Sequence, residues 1–237
     1  MSLFKDIVKL WNSDDLLSQA WDESYEMMML SNEIFTKAIK YLRENEDIDT
    51  IKALKKRDAE INHFQKDVRR KVVTHYAISQ DVEDLPNGLV LLNMVVDVER
   101  VGDYTKNILD LALNYSETMR AEEFSGELAE IEKEVVSRFS KTMEAINSHD
   151  ETVADSLMST YKDVVSVSDK IVNGCISGEI VQGSEAKSAA LALYARYLKR
   201  IAAHLKNITT ILVNPFEAVG YKTVSYTHLT LPTTPYV

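Results

Sequence analysis

Apolar side chains recur every three to four residues along most of the chain, which is the spacing of an α-helix that buries one face. Six long segments have this pattern, and short stretches rich in Asp, Ser, Gly or Pro separate them. We predict helices over about 14–46, 50–76, 84–117, 121–148, 151–173 and 184–213. Helices of this length are longer than average and are typical of bundles, so the predicted fold class is all-α.

Short polar residues, Pro and Gly predict where these helices begin and end. Asp49 is the expected N-cap of the second helix, and Pro86 lies in the first turn of the third, where its missing N–H costs little. Gly174, Gly178 and Gly183 predict a loop between the fifth and sixth helices.

Two segments of the chain align without a gap and indicate an internal duplication. ERVGDYTKNI at 99–108 matches KRIAAHLKNI at 199–208, and each segment lies in the third helix of its half. We therefore predict two three-helix bundles related by a pseudo-twofold axis, over 14–119 and 120–213. Residues 224–237 carry no charged side chain and two of the four prolines, and we predict a non-native tail there.

Composition excludes several classes of protein. The low content of Gly (7) and Pro (4) disfavours a β-rich fold, and the net charge of −10 makes nucleic acid an improbable partner. A single cysteine, Cys175, cannot form an intramolecular disulfide, so a reducing compartment, the cytoplasm, is expected. No apolar stretch approaches the length of a membrane span.

Oxygen-bearing side chains follow the third helix at the spacing of one helical turn. Glu99 and Asp103 are four residues apart, and Asn107 lies one turn further on; Asp58 and Asn62 repeat the spacing on the second helix. Carboxylates that interrupt an apolar helix face repel each other and lose hydration, so a bound cation is expected. Oxygen ligands favour Mg²⁺, Mn²⁺, Ca²⁺ or iron.

Two other interpretations of these residues stay open. Glu99 and its neighbours can be neutralised by Arg100 or Lys106 on a solvated helix face. Glu60 and His63 fit the Glu-x-x-His motif of ferritin-like di-metal enzymes, but the sequence contains no second such motif. It also contains no Gly-rich phosphate loop, nucleophile elbow or Cys-x-x-Cys pair, so we do not expect an enzyme.

The run ERVGD at 99–103, followed by KNI at 106–108, resembles the signature of the PhoU family of phosphate-uptake regulators. KKRDAEIN at 55–62 is similar to that family's second-helix motif, and the resemblance extends over about 14–213. It implies two pseudo-symmetric three-helix bundles, with metal ions at the acidic motifs. The metal ligands would be Asp58, Glu99 and Asp103, with Asn62 and Asn107 either as additional ligands or as residues that hydrogen-bond to the ligands.

The resemblance also implies a role and partners. PhoU proteins repress phosphate-starvation signalling by contacting a phosphate transporter and a sensor histidine kinase. We therefore expect a cytoplasmic homodimer that reaches the inner face of the membrane through its partners. Two alternatives remain: an accessory protein of low-affinity phosphate transporters, and a helical interaction module without metal.

The second repeat departs from the acidic pattern. Lys199 stands at the position of Glu99, and a metal site needs anionic ligands. Ala203 stands at the position of Asp103. One metal site is therefore expected, in the first repeat.

A basic face replaces the acidic motif in the second repeat. Residues 84–119 contain six acids and two bases, whereas 184–213 contain one acid and five bases. Arg196, Lys199 and Arg200 belong to this basic segment. We predict that the fixed charges of Lys199 and Arg196 supply the positive charge that a metal supplies in the first repeat, by pairing with acidic groups of the protein or of a partner.

Overall fold

The computed structural model describes residues 15–44, 46–79, 83–115, 117–119, 126–148, 151–214 and 216–221. The predicted tail at 224–237 and the predicted start of the fourth helix at 121 lie outside these residues. The helices are α1 (Leu16–Arg43), α2 (Ile48–Lys56), α3 (Asp58–Ser79), α4 (Leu85–Asn114), α5 (Gly126–Ser148), α6 (Glu151–Ser177) and α7 (Glu185–Val213), followed by a 3-10 turn at Phe216–Ala218. The described residues contain no strand, which confirms the all-α prediction.

The second predicted helix differs from the observed one at its start and in its middle. Its N-cap is Asp47, whose carboxylate accepts the N–H of Thr50 at 3.1 Å, so Asp49 lies in the first turn rather than at the cap. The helix is also interrupted: Arg57 ends α2, and α3 begins at the next residue, Asp58. Apolar periodicity runs through such a break and does not reveal it.

The predicted loop after the fifth helix begins later than expected. Gly174 lies inside α6, which continues to Ser177, and Gly178 follows at a φ of 77° that suits glycine. A Cβ atom on Gly174 would lie 2.5 Å from the side chain of Ile180. Gly174 therefore serves close packing of the chain that folds back on the helix, and the prediction that it begins the loop was wrong.

The helices form two three-helix bundles. The segment α2–α3 and α4 pack with α1 in the first bundle, and α5, α6 and α7 pack together in the second. The third helices of the two bundles, α4 and α7, pack against each other and join the halves. Within the described residues no helix has the length and apolar content of a membrane span.

Contacts between α4 and α7 reveal the pseudo-twofold axis. The Tyr104 and His204 rings stack at 5.8 Å, and these two residues occupy the same position in the alignment of 99–108 with 199–208. Two further contacts flank this ring pair. Asp97 Oδ1 lies 2.7 Å from His204 Nδ1, and the ring centre of Tyr197 lies 6.2 Å from that of Tyr104. Extended by two residues toward the N-terminus, the same alignment also pairs Asp97 with Tyr197. The two helices therefore cross antiparallel, with the axis between Tyr104 and His204.

A second contact between the halves is polar and largely buried. Arg43 of α1 donates to Glu132 of α5 through Nε at 3.1 Å and Nη2 at 2.5 Å. The hydroxyl of Tyr194, on α7, donates to the same carboxylate oxygen. Burial, followed by the negative charge of Glu132, raises the pKa of Tyr194 well above its ordinary value. The phenol therefore stays a neutral hydrogen-bond donor.

Candidate functional site

The acidic residues of the first repeat are brought together by the close approach of α3 and α4. Gly102 makes this approach possible, because a Cβ atom there would lie 3.1 Å from Ile61 Cδ1 and 3.5 Å from Asp58 Oδ1. Asp58, at the start of α3, thus lies against the turn of α4 that carries Glu99 and Asp103. The three predicted ligands form one group, which we call the acidic cluster.

Lys106 connects two members of the acidic cluster. Its Nζ atom donates to Asp58 Oδ2 at 2.8 Å and to Asp103 Oδ1 at 3.2 Å. Arg100 Nη1 donates to the other oxygen of Asp103 at 3.0 Å, and Arg100 Nε lies 3.7 Å from Glu99 Oε2. Three carboxylates therefore face two cations, and the cluster retains an excess of negative charge.

The two predicted asparagines differ in their relation to the cluster. Asn62 uses its amide Nδ2 to donate to Asp58 Oδ2 and to the Asp58 carbonyl, both at 3.1 Å. Its amide thus presents a donor to the carboxylate and fixes its orientation. The side chain of Asn107 makes no hydrogen bond to the cluster within the described structure.

Glu99 is the carboxylate least compensated by its surroundings. Its side chain is 19% exposed, and burial, followed by the charges of Asp103 and Asp58, raises its pKa, although Arg100 and Lys106 oppose this. For Lys106, burial lowers the pKa, but the hydrogen bonds and charges of Asp58 and Asp103 outweigh burial and raise it overall. Positive charge at this place is favoured, and the structure shows Lys106 and Arg100 there.

The donor chemistry of the cluster suits a hard divalent cation, since every candidate ligand atom is oxygen. The carboxylates are arranged here around Lys106 and Arg100, and among the described residues no three His, Cys, Asp or Glu side chains are arranged to hold a metal ion. The ligand set Asp58, Glu99 and Asp103 remains a prediction.

The basic residues of the second repeat have different surroundings. Lys199 Nζ donates to both carboxylate oxygens of Asp169, at 2.6 and 2.7 Å. Arg200 donates from Nε to the Tyr104 hydroxyl at 3.1 Å, and its Cζ lies 5.7 Å from the centre of that ring. Arg196 is exposed, and no carboxylate of the described chain pairs with it.

The two residues of the Glu-x-x-His motif, Glu60 and His63, contact side chains close to them in the sequence. Glu60 accepts from Arg57 Nε at 3.0 Å, three residues earlier. His63 is exposed and lies 2.9 Å from Asp67 Oδ2, four residues later. Both side chains contact residues within four positions along the chain rather than a distant helix.

Sequence reasoning missed the contacts between distant segments. Nothing in the sequence pattern indicates that Asp169 pairs with Lys199. Nothing in it indicates that Asp97 contacts His204 and Asn207 either. Gly102 offered a usable signal, because glycine inside a helix costs about 1 kcal/mol relative to alanine and indicates a close approach.

The fold and the acidic cluster define a class: paired three-helix bundles with carboxylates on the third helix of one half. The model of the PhoU domain matches residues 25–112 and 128–212, one segment in each half. The chain belongs to the PhoU family.

Two solved structures have a similar fold. PhoU from Pseudomonas aeruginosa aligns with a TM-score of 0.74 and 19% identity, covering 84% of this chain and 95% of the other. The phosphate transport system regulatory protein PhoU from Streptococcus pneumoniae aligns with a TM-score of 0.74 and 22% identity, covering 88% of this chain and 97% of the other. No curated protein sequence matches the chain.

Proposed function

We propose that this protein is a regulator of phosphate uptake and of phosphate-starvation signalling that acts by binding other proteins rather than by catalysis. Membership of the PhoU family, matched in both halves, is the observation that carries this proposal. The family supports a role in phosphate regulation. A component of a phosphate transporter, a sensor histidine kinase, or both, are the proposed partners.

We further propose that the acidic cluster binds a divalent or iron-type metal ion through Asp58, Glu99 and Asp103. The excess of carboxylates over cations and the raised pKa of Glu99 support this. A bound ion would supply the positive charge that Lys106 supplies in the structure described here. The second repeat, with Lys199 held by Asp169, is proposed to bind none.

A reporter of phosphate starvation tests the regulatory role. In a bacterium that lacks its own PhoU protein, we expect expression of this chain to lower the reporter signal in phosphate-rich medium. A signal that stays high, with the chain present at normal abundance, would contradict the proposal.

A variant of the acidic cluster tests whether the cluster takes part in regulation. D58N/E99Q/D103N should restore less repression than the unsubstituted chain. The matched control is E144Q/D155N, which neutralises exposed acids of the second half. Equal repression by all three proteins would show that the cluster is dispensable and would favour a metal-free interaction module.

A further inference from the structure

Helix α7 carries an unusual charge distribution for so acidic a chain. After Glu185, no acidic residue occurs up to Val213, the end of the helix, while the same stretch contains five lysines and arginines. The whole chain has a net charge of −10. Arg196 and Arg200 therefore have no acidic residue three or four positions away on α7 to neutralise them.

Three exposed side chains of α7 share one side of the helix. Leu193, Arg196 and Arg200 follow each other at intervals of three and four residues, and all three are exposed. Leu193 is a large apolar side chain with 43% of its surface accessible. Tyr104 of α4 extends this surface, because Arg200 donates to its hydroxyl and lies over its ring. We call these four residues the basic α7 face.

The arginines of this face lack carboxylate partners, unlike their neighbour Lys199. Lys199 is neutralised by Asp169 through both oxygens. Arg200 contacts a phenol, which carries no charge to offset its own, and Arg196 has no ion pair within the described chain. Two positive charges therefore remain uncompensated beside an exposed leucine.

A second basic patch, on α3, includes an acidic residue. On α3, Lys66, Arg69 and Arg70 lie near Val73 on the exposed side of the helix. Asp67 lies among them and accepts from Arg70 at 2.7 Å. The α3 patch therefore contains its own counter-charge, and it provides a matched control.

We propose that the basic α7 face is a docking surface for an acidic protein segment that also presents an apolar side chain to Leu193. Arginine and tyrosine are enriched at protein interfaces, and a guanidinium binds a carboxylate with two parallel hydrogen bonds. A free phosphate ion makes no use of an exposed leucine. A membrane surface is recognised by clusters of four to eight Lys and Arg residues, more than this face presents.

The docking proposal rests on the proposed function in one respect, that the protein acts by binding other proteins, and it adds the chemical class of one partner. Its test is a titration of the purified full chain with a fluorescently labelled synthetic helix of Glu and Leu. Fluorescence anisotropy measures Kd. We expect saturable binding that R196E/R200E weakens at least about tenfold and that R69E/R70E leaves within about twofold. The conservative variant R196K/R200K should retain most of the affinity, and circular dichroism should show the same helix content in all variants.

Several results would overturn the docking proposal. One is absence of binding by the unsubstituted chain, and another is equal weakening by both charge-reversal pairs, which would indicate a general charge effect. A third is that the peptide does not bind, whereas vesicles of anionic phospholipid or inorganic phosphate bind to the unsubstituted chain and not to R196E/R200E. That result would assign the face to those ligands. A dimer in light scattering that R196E/R200E dissociates would assign it to a second copy of the chain. All of these measurements use purified protein and none uses the reporter, so the docking proposal can fail while the regulatory proposal holds.

Discussion

At the scale of single residues, Glu99 is the carboxylate of the acidic cluster whose charge is least offset by hydrogen bonds and ion pairs. Burial and two neighbouring carboxylates raise its pKa, so its charged form costs the folded state free energy. That cost is fully present above the folded-state pKa and absent below the ordinary value of 4.5. Glu33 on α1 is the opposite case, because hydrogen bonds from Lys37 and then Arg57 lower its pKa.

We therefore predict that E99Q raises the melting temperature at pH 7 by about 2 °C, in the absence of metal. The difference from the unsubstituted protein should shrink as the pH falls through the raised pKa of Glu99. E33Q is the control with opposite sign: it should lower the melting temperature slightly at pH 7, and this difference should vanish at acidic pH. Calorimetry at several pH values measures both. A lower melting temperature for E99Q at pH 7 would contradict this description of the cluster.

Lys106 is predicted to compete with a metal ion for Asp58 and Asp103. Replacing it by methionine, K106M, removes the tethered cation and should tighten binding of Mn²⁺ by about tenfold, measured by isothermal titration calorimetry. The control K55M breaks a similar bridge, between Lys55 of α2 and Asp110 of α4, and should leave the Kd unchanged. Unaltered Mn²⁺ affinity in K106M would argue against competition, and Mn²⁺ binding that survives in D58N/E99Q/D103N would place the metal elsewhere.

At the scale of helices, the cluster depends on how closely α3 approaches α4. Gly102 has no side chain to separate them, and its neighbours Ile61 and Asp58 belong to the facing helix. The break at Arg57 places Asp58 at the very start of α3, where the helix dipole favours an acidic side chain. The close contact at Gly102 and the helix start at Asp58 together set the position of Asp58 relative to Glu99 and Asp103.

G102V is predicted to force α3 away from α4 and to lower the free energy of unfolding by about 1–3 kcal/mol. The control is G126A, since a Cβ atom on Gly126 would have no neighbour within 4 Å. Urea denaturation of both variants measures the effect. Equal stability of G102V and the unsubstituted protein would show that the contact at Gly102 is not tight.

The sequence predicts which segments form helices better than it predicts where those helices begin and end. Periodicity predicted every long helical segment, because each one buries a single apolar face. The cap at Asp47, the break at Arg57 and the continuation of α6 through Gly174 depend on individual hydrogen bonds and side-chain packing. Periodicity contains no information about these, and so the predicted boundaries of these helices were wrong.

At the scale of the whole molecule, the two halves are joined by α4 and α7 and by the contact of Arg43, Glu132 and Tyr194. Glu132 accepts from both other residues, and only 12% of its side chain is exposed. Removal of this carboxylate leaves the buried Tyr194 hydroxyl without the acceptor described here, and a buried unsatisfied group is costly.

E132A is accordingly predicted to lower the free energy of unfolding by about 2–4 kcal/mol. Y194F should cost about 1 kcal/mol, and the double variant should cost less than the sum of the two, because both substitutions remove the same hydrogen bond. Denaturation of the three variants forms a double-mutant cycle. Strict additivity would show that Glu132 and Tyr194 do not interact.

Contacts between the halves could not be predicted from the sequence alone. The alignment of 99–108 with 199–208 gives the relation between α4 and α7, but it does not say which side chains meet across the axis. Asp97 and His204 are far apart along the chain, and Lys199 finds Asp169 on another helix. Such pairs depend on the tertiary arrangement, whereas Asp58, Glu99 and Asp103 could be named because helical spacing and the family signature pointed to them.

The proposed role of this protein is regulation of phosphate uptake through binding of other proteins. Affinity capture of the tagged full chain from its own cells, grown with and without phosphate limitation, tests it most directly. We expect a phosphate-transporter component or a sensor histidine kinase to be recovered, in an amount that changes with phosphate supply. Recovery of neither under both conditions, from cells that contain these proteins, would contradict the claim.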